Sequence, residues 1–283
     1  MRVVKSPVVG PFSCSREKAG DEGVQPVDPH PGPLPQAGEG GTSQTVRTQL
    51  KLRELIINGE LKAGHRIAEL TLVERLGASR TPIRVALVRL EEEGLIEALP
   101  NGGFMVKDFS ESDIHDAIEV RGTLEGLAAR LAAERGVTSV LLADMRDCLA
   151  QIDALLAPRE LNDDSFSGYV MHNARFHALL AEMSGSALVQ RQLERAKTLP
   201  FASPNGFVMA QSTGPDARDM LVVAQQQHKS VVEAIVRREG ARAEALMREH
   251  ARIAQHNLTE ALQSHKTLQH VPGASLIRRR VPR

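Results

Sequence analysis

The stretch Gly59–Ile96, GELKAGHRIAELTLVERLGASRTPIRVALVRLEEEGLI, decides the fold of the first third of the chain. Leu72, Val73 and Leu76 share one face of a short helix, and Gly77 supplies a left-handed stop behind it. Ser79 is placed to cap the next helix, and Pro82 falls in its first turn, where a missing N–H costs little. Ile83, Ala86, Leu87 and Leu90 then recur at i, i+3, i+4 and i+7, which gives that helix an inner face. Upstream, Leu50, Leu52, Leu55 and Ile56 mark a further helix that Asn58 and Gly59 end. Downstream, LIEAL and FMVKDF flank Pro100, Asn101, Gly102 and Gly103, and Asn-Gly between β-capable runs predicts a hairpin. Residues 45–108 therefore read as a winged helix-turn-helix.

Two helices joined through Gly77 and Ser79 and followed by a hairpin form the arrangement that seats a helix in the DNA major groove. Between Arg75 and Arg89 the chain carries Arg75, Arg80, Arg84 and Arg89 with no acidic residue. Free N–H groups at the start of the helix, with Ser79, Arg80 and Thr81, suit phosphate. Arg84, one turn on, is the expected base reader, because guanidinium matches the O6 and N7 acceptors of guanine. Spacing alone leaves open a solvated, Arg-rich helix in a small structural domain.

The rest of the composition limits the alternatives. With 283 residues and 42% hydrophobic content, the chain suits two globular domains. Its formal net charge is zero, so no global field draws it to nucleic acid or anionic lipid and any DNA contact is local. Aromatic residues make up 3%, with no Trp, which argues against base stacking on aromatic platforms. Cys14 and Cys148 give neither a disulfide framework nor a Cys-rich zinc site. No apolar run approaches a membrane span, and a cytoplasmic protein is expected. Residues 1–44 are rich in Pro and Gly and read as a disordered tail. Residues 267–283, with Arg278, Arg279, Arg280 and Arg283, read as a disordered basic tail able to add a phosphate contact.

Residues 110–266 read as an all-α bundle of about six helices, broken at Gly136, Pro158, Gly185, Pro200 to Pro215, and Gly240. His228 and His250 lie on either side of the break at Gly240. In an antiparallel hairpin each sits roughly 16 Å from the turn, so the two are level. Asn173 and His177, in NARFHALLAEMSG, share a helix face by the i, i+4 rule and can join them from a third helix. Three imidazoles and an amide oxygen suit a divalent ion such as zinc or nickel, with positions left for water or ligand. Hydrogen-bonded core histidines would produce the same spacing. His172, His256 and His265 fall on other faces and read as surface residues.

Two stretches carry a family resemblance. The quoted segment, SRTPIR above all, resembles the winged-helix domain of the GntR family of bacterial transcription regulators. The resemblance implies DNA binding as a homodimer, with Arg80, Arg84 and the wing glycine Gly103 at the operator. NARFHALLAEMSG and the segment His228–His250 resemble the ligand-binding domain of the FadR subfamily, the FCD type, whose metal-bearing members use an Asp and three His. Three departures are visible: Val85 stands where Glu is common, Gly102 where a basic wing residue is common, and Asn173 at the Asp place.

With neutral ligands only, the site keeps the full charge of a divalent ion, which favours an anionic guest such as a carboxylate. Arg121 matches a family arginine near this pocket and would pair with that carboxylate; a surface pairing with Glu125 one turn on is the other reading. The expected function is a DNA-binding transcription regulator, not an enzyme, whose operator affinity follows a small organic acid bound at the metal site. The alternatives are a regulator in which the ion itself is the signal, or a metal-dependent hydrolase; no H-E-x-x-H or nucleophile-base pattern supports the hydrolase.

Overall fold

A computed structural model describes residues 39–208, 217–263 and 268–278. Its order is α1 (Glu39–Ile57), β1 (Arg66–Ile67), α2 (Glu69–Leu76), α3 (Arg80–Glu92), β2 (Ile96–Ala98), β3 (Phe104–Val106), α4 (Glu111–Arg135), α5 (Ser139–Leu156), α6 (Asp163–Met183), α7 (Ala187–Ala196), α8 (Ala217–Val236) and α9 (Gly240–Gln263). The fold is mostly α: a winged helix-turn-helix followed by a bundle of six helices among the described residues.

The local signals act as the chain chemistry dictates. Gly77 caps α2 at φ 59°, the left-handed region that glycine enters without steric cost. Ser110 opens α4 with a capping box, its hydroxyl accepting from the Asp113 N–H while the Asp113 carboxylate accepts from the Ser110 N–H. Thr138, Asn162 and Ser186 cap α5, α6 and α7 on one side only, each side chain accepting from a backbone N–H three residues on. Ser79 occupies the N-cap position of α3, but its hydroxyl makes no capping hydrogen bond.

Two features of the wing go beyond the hairpin read from sequence. β1 adds a third, antiparallel strand, in the order β1-β3-β2, with Arg66 opposite Met105 and Ile67 opposite Phe104. Two residues are too few for a periodic signal, so the alternation rule had nothing to detect. Beyond the Leu99 N–H donating to the Gly103 carbonyl at 2.9 Å, which closes the turn where expected, the loop end carries a second bond, from the Gly102 N–H to the Leu99 carbonyl at 2.9 Å.

The boundaries need two corrections. Helix α1 begins at Glu39, so residues 39–44 belong to it and not to the tail; residues 1–38, Cys14 among them, lie outside the described residues. The C-terminal segment is not a free tail. Leu268, Val271, Leu276 and Ile277 are buried in the winged-helix core. The Leu276 carbonyl accepts from the Phe109 N–H, the Arg278 N–H donates to the Phe109 carbonyl, and Ile277 bridges Phe109 in parallel. Arg278 pairs with Asp108 at 2.9 Å. Arg279, Arg280 and Arg283 lie outside the described residues. The basic composition of the segment masked four apolar anchors spaced too irregularly to read as helix or strand.

The winged-helix core, built on Leu52, Ile56, Leu72, Ile83, Leu87 and Leu90, continues without a break into Ile114 and Ile118 of α4 and Leu258 and Ala261 of α9. The bundle has its own core of Met145, Ile152, Phe166, Tyr169, Phe176, Leu180, Val231, Ile235 and Met247. Among the described residues no helix is long and apolar enough to cross a membrane.

The docking of the C-terminal segment is testable. Leu276 is fully buried, so Leu276→Ala is expected to cost about 2–5 kcal/mol in urea unfolding. A loss below about 0.5 kcal/mol would mean that the segment does not pack in solution.

Candidate functional site

The bundle interior brings four of the predicted residues to one place. Asn173 and His177 come from α6, His228 from α8 and His250 from α9, all buried. One ring nitrogen from each of the three histidines lies within 4.8 Å of the other two. His228 Nε2 and His250 Nε2 are 3.1 Å apart, so the two histidines are level across the α8–α9 hairpin, as the spacing required.

Each imidazole has its far nitrogen committed to an oxygen acceptor. His177 Nδ1 faces Glu125 Oε1 at 2.8 Å, His228 Nδ1 faces Gln225 Oε1 at 3.2 Å, and His250 Nδ1 faces Gln227 Oε1 at 3.1 Å. The Gln225 amide cannot flip without loss, because its Nε2 donates to the Leu149 carbonyl and to Asp153. Nδ1 therefore carries the proton in His177, beside the Glu125 carboxylate, and in His228; with Gln227 Oε1 as acceptor His250 does the same, and the Nε2 lone pairs converge. Two lone pairs 3.1 Å apart repel unless a cation or a proton lies between them. His177 Nε2 has no hydrogen-bond partner and no access to solvent. Phe176 stacks on the His228 ring, with centroids 3.9 Å apart, and fixes its plane.

Burial keeps these rings neutral. It lowers His177, with Glu125 opposing; it lowers His228 well below its usual value, helped by His250 and His177; and it lowers His250 to about 3, helped by His177. Neutral imidazole is the form that binds metal.

Asn173 is oriented by a residue the sequence reading missed. Its Nδ2 donates to Asn205 Oδ1 at 2.8 Å, and Asn205 Nδ2 donates in turn to the Val170 carbonyl. Asn173 Oδ1 is left buried without a partner. Three imidazole nitrogens with their second nitrogens anchored, plus an orphaned amide oxygen, match the donor set a divalent ion takes.

Glu125, read from sequence only as a surface partner of Arg121, is the second such residue. Arg121 Nη1 donates to Glu125 Oε2 at 2.9 Å, and both side chains are essentially without exposure. Arg121 thus does pair with Glu125, but in the interior and not at the surface. Burial by itself would push the Glu125 carboxyl up; Arg121 and His177 outweigh it and hold it down at about 2. The i, i+4 spacing of Arg121 and Glu125 was visible, but spacing carries no information on depth. Arg121, whose Nε has no partner, lines with Tyr169, Asn173, His250 and Asn257 a cavity of about 30 Å³, room for one or two waters.

His172 is corrected from surface to half-buried, its Nδ1 enclosed without a partner. His256 is exposed beside Glu260; His265 lies outside the described residues.

At the other end of the molecule Ser79, Arg80, Thr81 and Arg84 are exposed along α3, and Gly103 sits at the wing tip. Arg84 Nε donates to Glu69 Oε2 at 2.9 Å, which leaves both terminal nitrogens free. Gly102 contributes no cation, but Arg66 of β1 donates to its carbonyl at 2.7 Å and lies against Gly103, so a guanidinium still marks the wing tip.

Comparison with known proteins matches this two-part layout. The model for bacterial regulatory proteins of the gntR family covers residues 44–106, and the FCD domain model covers residues 116–253. An uncharacterized HTH-type transcriptional regulator in the TAR-I ttuE-ttuC' intergenic region of Agrobacterium vitis is 36% identical over 131 residues, 46% of this chain and 74% of the relative. The HTH-type transcriptional repressor GlaR of Escherichia coli is 26% identical over 202 residues, 70% of this chain and 88% of the relative. Among solved structures, E. coli McbR/YncC shares the fold with a TM-score of 0.52 and 20% identity, over 78% of this chain and 97% of that one. The two sequence relatives are named as an HTH-type transcriptional regulator and an HTH-type transcriptional repressor. The chain belongs to the gntR family of bacterial regulatory proteins, with an FCD domain that fits the FadR subfamily.

Glu125→Gln should retain an acceptor for His177 but strand the Arg121 charge in the interior, at a cost of about 3–5 kcal/mol in chemical unfolding. Adding Arg121→Met should recover much of the loss. A single variant as stable as the parent would remove Glu125 from its structural role.

Proposed function

We propose that this regulator binds operator DNA as a homodimer through α3 and the wing, and that a divalent ion with a small carboxylate in the helical domain sets its operator affinity. The observation that supports it most is the convergence of one ring nitrogen from each of three buried histidines, each ring hydrogen-bonded at Nδ1. Asn173, His177, His228 and His250 would hold the ion, zinc or nickel by ligand type. Bound there, the ion supplies uncompensated positive charge and open positions for an anionic guest, because its ligands are neutral and Glu125 is already matched by Arg121. Arg121, which lines the adjoining cavity and whose Nε is unpaired, would donate to the carboxylate.

On the DNA side, the Ser79, Arg80 and Thr81 end of α3 would take phosphate, Arg84 a guanine, and Gly103 would let the wing backbone approach closely. Glu69 holds the Arg84 guanidinium by Nε and presents its two terminal nitrogens for the bidentate contact. Coupling between the sites needs only about 1–3 kcal/mol of differential affinity between two dimer states.

One observation favours the second reading, in which the ion itself is the signal. The cavity of about 30 Å³ accommodates water beside an ion, whereas small-molecule pockets run to hundreds of Å³, so a carboxylate must open it. Chelation followed by DNA-binding assays with and without small organic acids separates the two. Metal removal that alone sets operator affinity supports the ion; an acid response that needs metal supports the acid.

Two substitutions test the assignments. Arg84→Ala should weaken specific DNA binding by about 1–3 kcal/mol in a gel shift and leave unfolding unchanged; unchanged affinity would remove Arg84 from the interface. Asn173→Asp should tighten zinc in calorimetric titration and weaken a panel of small carboxylates on the zinc-loaded protein. Tighter binding of both would refute the charge argument.

A further inference from the structure

The outward strip of α3 is not uniformly basic. Arg80, Thr81, Arg84, Val85 and Val88 are exposed, while Pro82, Ile83, Ala86 and Leu87 between them are buried. Their spacing, i, i+1, i+4, i+5 and i+8, makes one strip along the helix. On it Val85 keeps 39% of its surface exposed and Val88 45%. A β-branched side chain on a helix holds essentially one rotamer, so each valine is a fixed apolar knob beside the cations. Arg84 meets Glu69 through Nε alone, and Arg80 has no hydrogen bond or ion pair among the described residues. No acidic side chain falls among these five residues, and exposed Glu92, one turn beyond Val88, ends the strip.

Two guanidinium groups interleaved with two apolar knobs match one surface in particular. Phosphate rewards the cations and gives nothing to the valines. The major-groove floor rewards both, since it offers guanine O6 and N7 as acceptors and the thymine 5-methyl group as an apolar contact. We propose that Val85 is a specificity-determining residue that packs on a thymine methyl within about two base pairs of the guanine contacted by Arg84. The inference rests on the reading of α3 as the groove helix and adds a base and an atom to it. The apolar residue selects a methyl-bearing base where an acidic side chain would select an exocyclic amine.

The test uses the full chain and a duplex that it selects from random DNA. Each thymine of that duplex is replaced singly by deoxyuridine, which removes only the methyl group. Substitution at one or two positions beside the Arg84-dependent guanine is expected to weaken binding about fourfold, the weight of one buried methylene. Val85→Ala should abolish that sensitivity and keep the dependence on Arg84; Val85→Thr, which keeps the branched shape with one methyl group, should retain part of it. Indifference to deoxyuridine at every position, or sensitivity that survives Val85→Ala, would overturn the proposal. Loss of all binding in Val85→Ala would overturn it too, because one methyl contact cannot carry the complex. If Arg84→Ala leaves affinity unchanged, it is the placement of α3 in the groove that fails; if only the methyl dependence is missing, it is the role of Val85.

Discussion

A carboxylate that no water reaches organises the helical domain. Glu125 has no exposure, and an uncompensated anion at that depth costs several kcal/mol. The cost is met only if Arg121 and His177 stay within hydrogen-bond distance, which fixes the rotation of α4 and its register against α6. The same rotation turns Gly122 and Gly126 toward α9. A Cβ at Gly122 would come within 2.5 Å of the Ala251 Cβ, and one at Gly126 within 2.8 Å of Arg248 Cγ, so α4 and α9 approach more closely than any larger residue permits. That approach sets α9, and with it His250, at the depth of His177.

From there the three imidazoles are no longer independent. Glu125, Gln225 and Gln227 each present an oxygen to an Nδ1, and the ring nitrogens that remain turn inward. Protonation would relieve the crowding, but burial disfavours a charged ring. A divalent cation coordinated by the three nitrogens would relieve it with the rings still neutral, so the donor set suits a metal although each hydrogen bond, taken singly, would pass for ordinary core structure. Asn173 fits the same logic. An amide needs its nitrogen satisfied before its oxygen is left free, and Asn205 satisfies it.

The sequence was most informative where a periodic signal met a terminator. The inner face of α3, Gly77 behind α2 and the Asn-Gly turn each report a local constraint, and each element lies where those constraints put it. The level placement of His228 and His250 was also legible, because a hairpin of two helices converts sequence distance into height. Depth was not legible. Arg121 and Glu125 one turn apart look the same on a surface and in a core, and only the packing of α4 against α6 and α9 distinguishes them. Asn205 follows a Pro-containing break with no periodicity, so nothing in the pattern marks it. The C-terminal segment failed for a related reason. Its arginines dominate the composition, while Leu268, Val271, Leu276 and Ile277 act through tertiary contacts that no local rule encodes.

That segment and the shared core bear on how a signal would travel. Phe207 and Ala254 line the cavity beside His250, and both also pack against the winged-helix core. A guest that displaced either of them would shift the winged-helix core too, because a close-packed interior passes such a shift to its neighbours. The C-terminal segment, next in the chain after α9, grips the winged helix at two places: at Ile57, the end of α1, where Ser275 donates to the carbonyl, and at Asp108 and Phe109, where the wing leads into α4. A movement of α9 would therefore reach the DNA-binding domain through these packed side chains, and α3 would respond by changing its orientation and not its own structure. In a homodimer, a change of orientation is a change in the spacing of two reading helices, and half-site spacing is the quantity to which a two-fold operator is most sensitive.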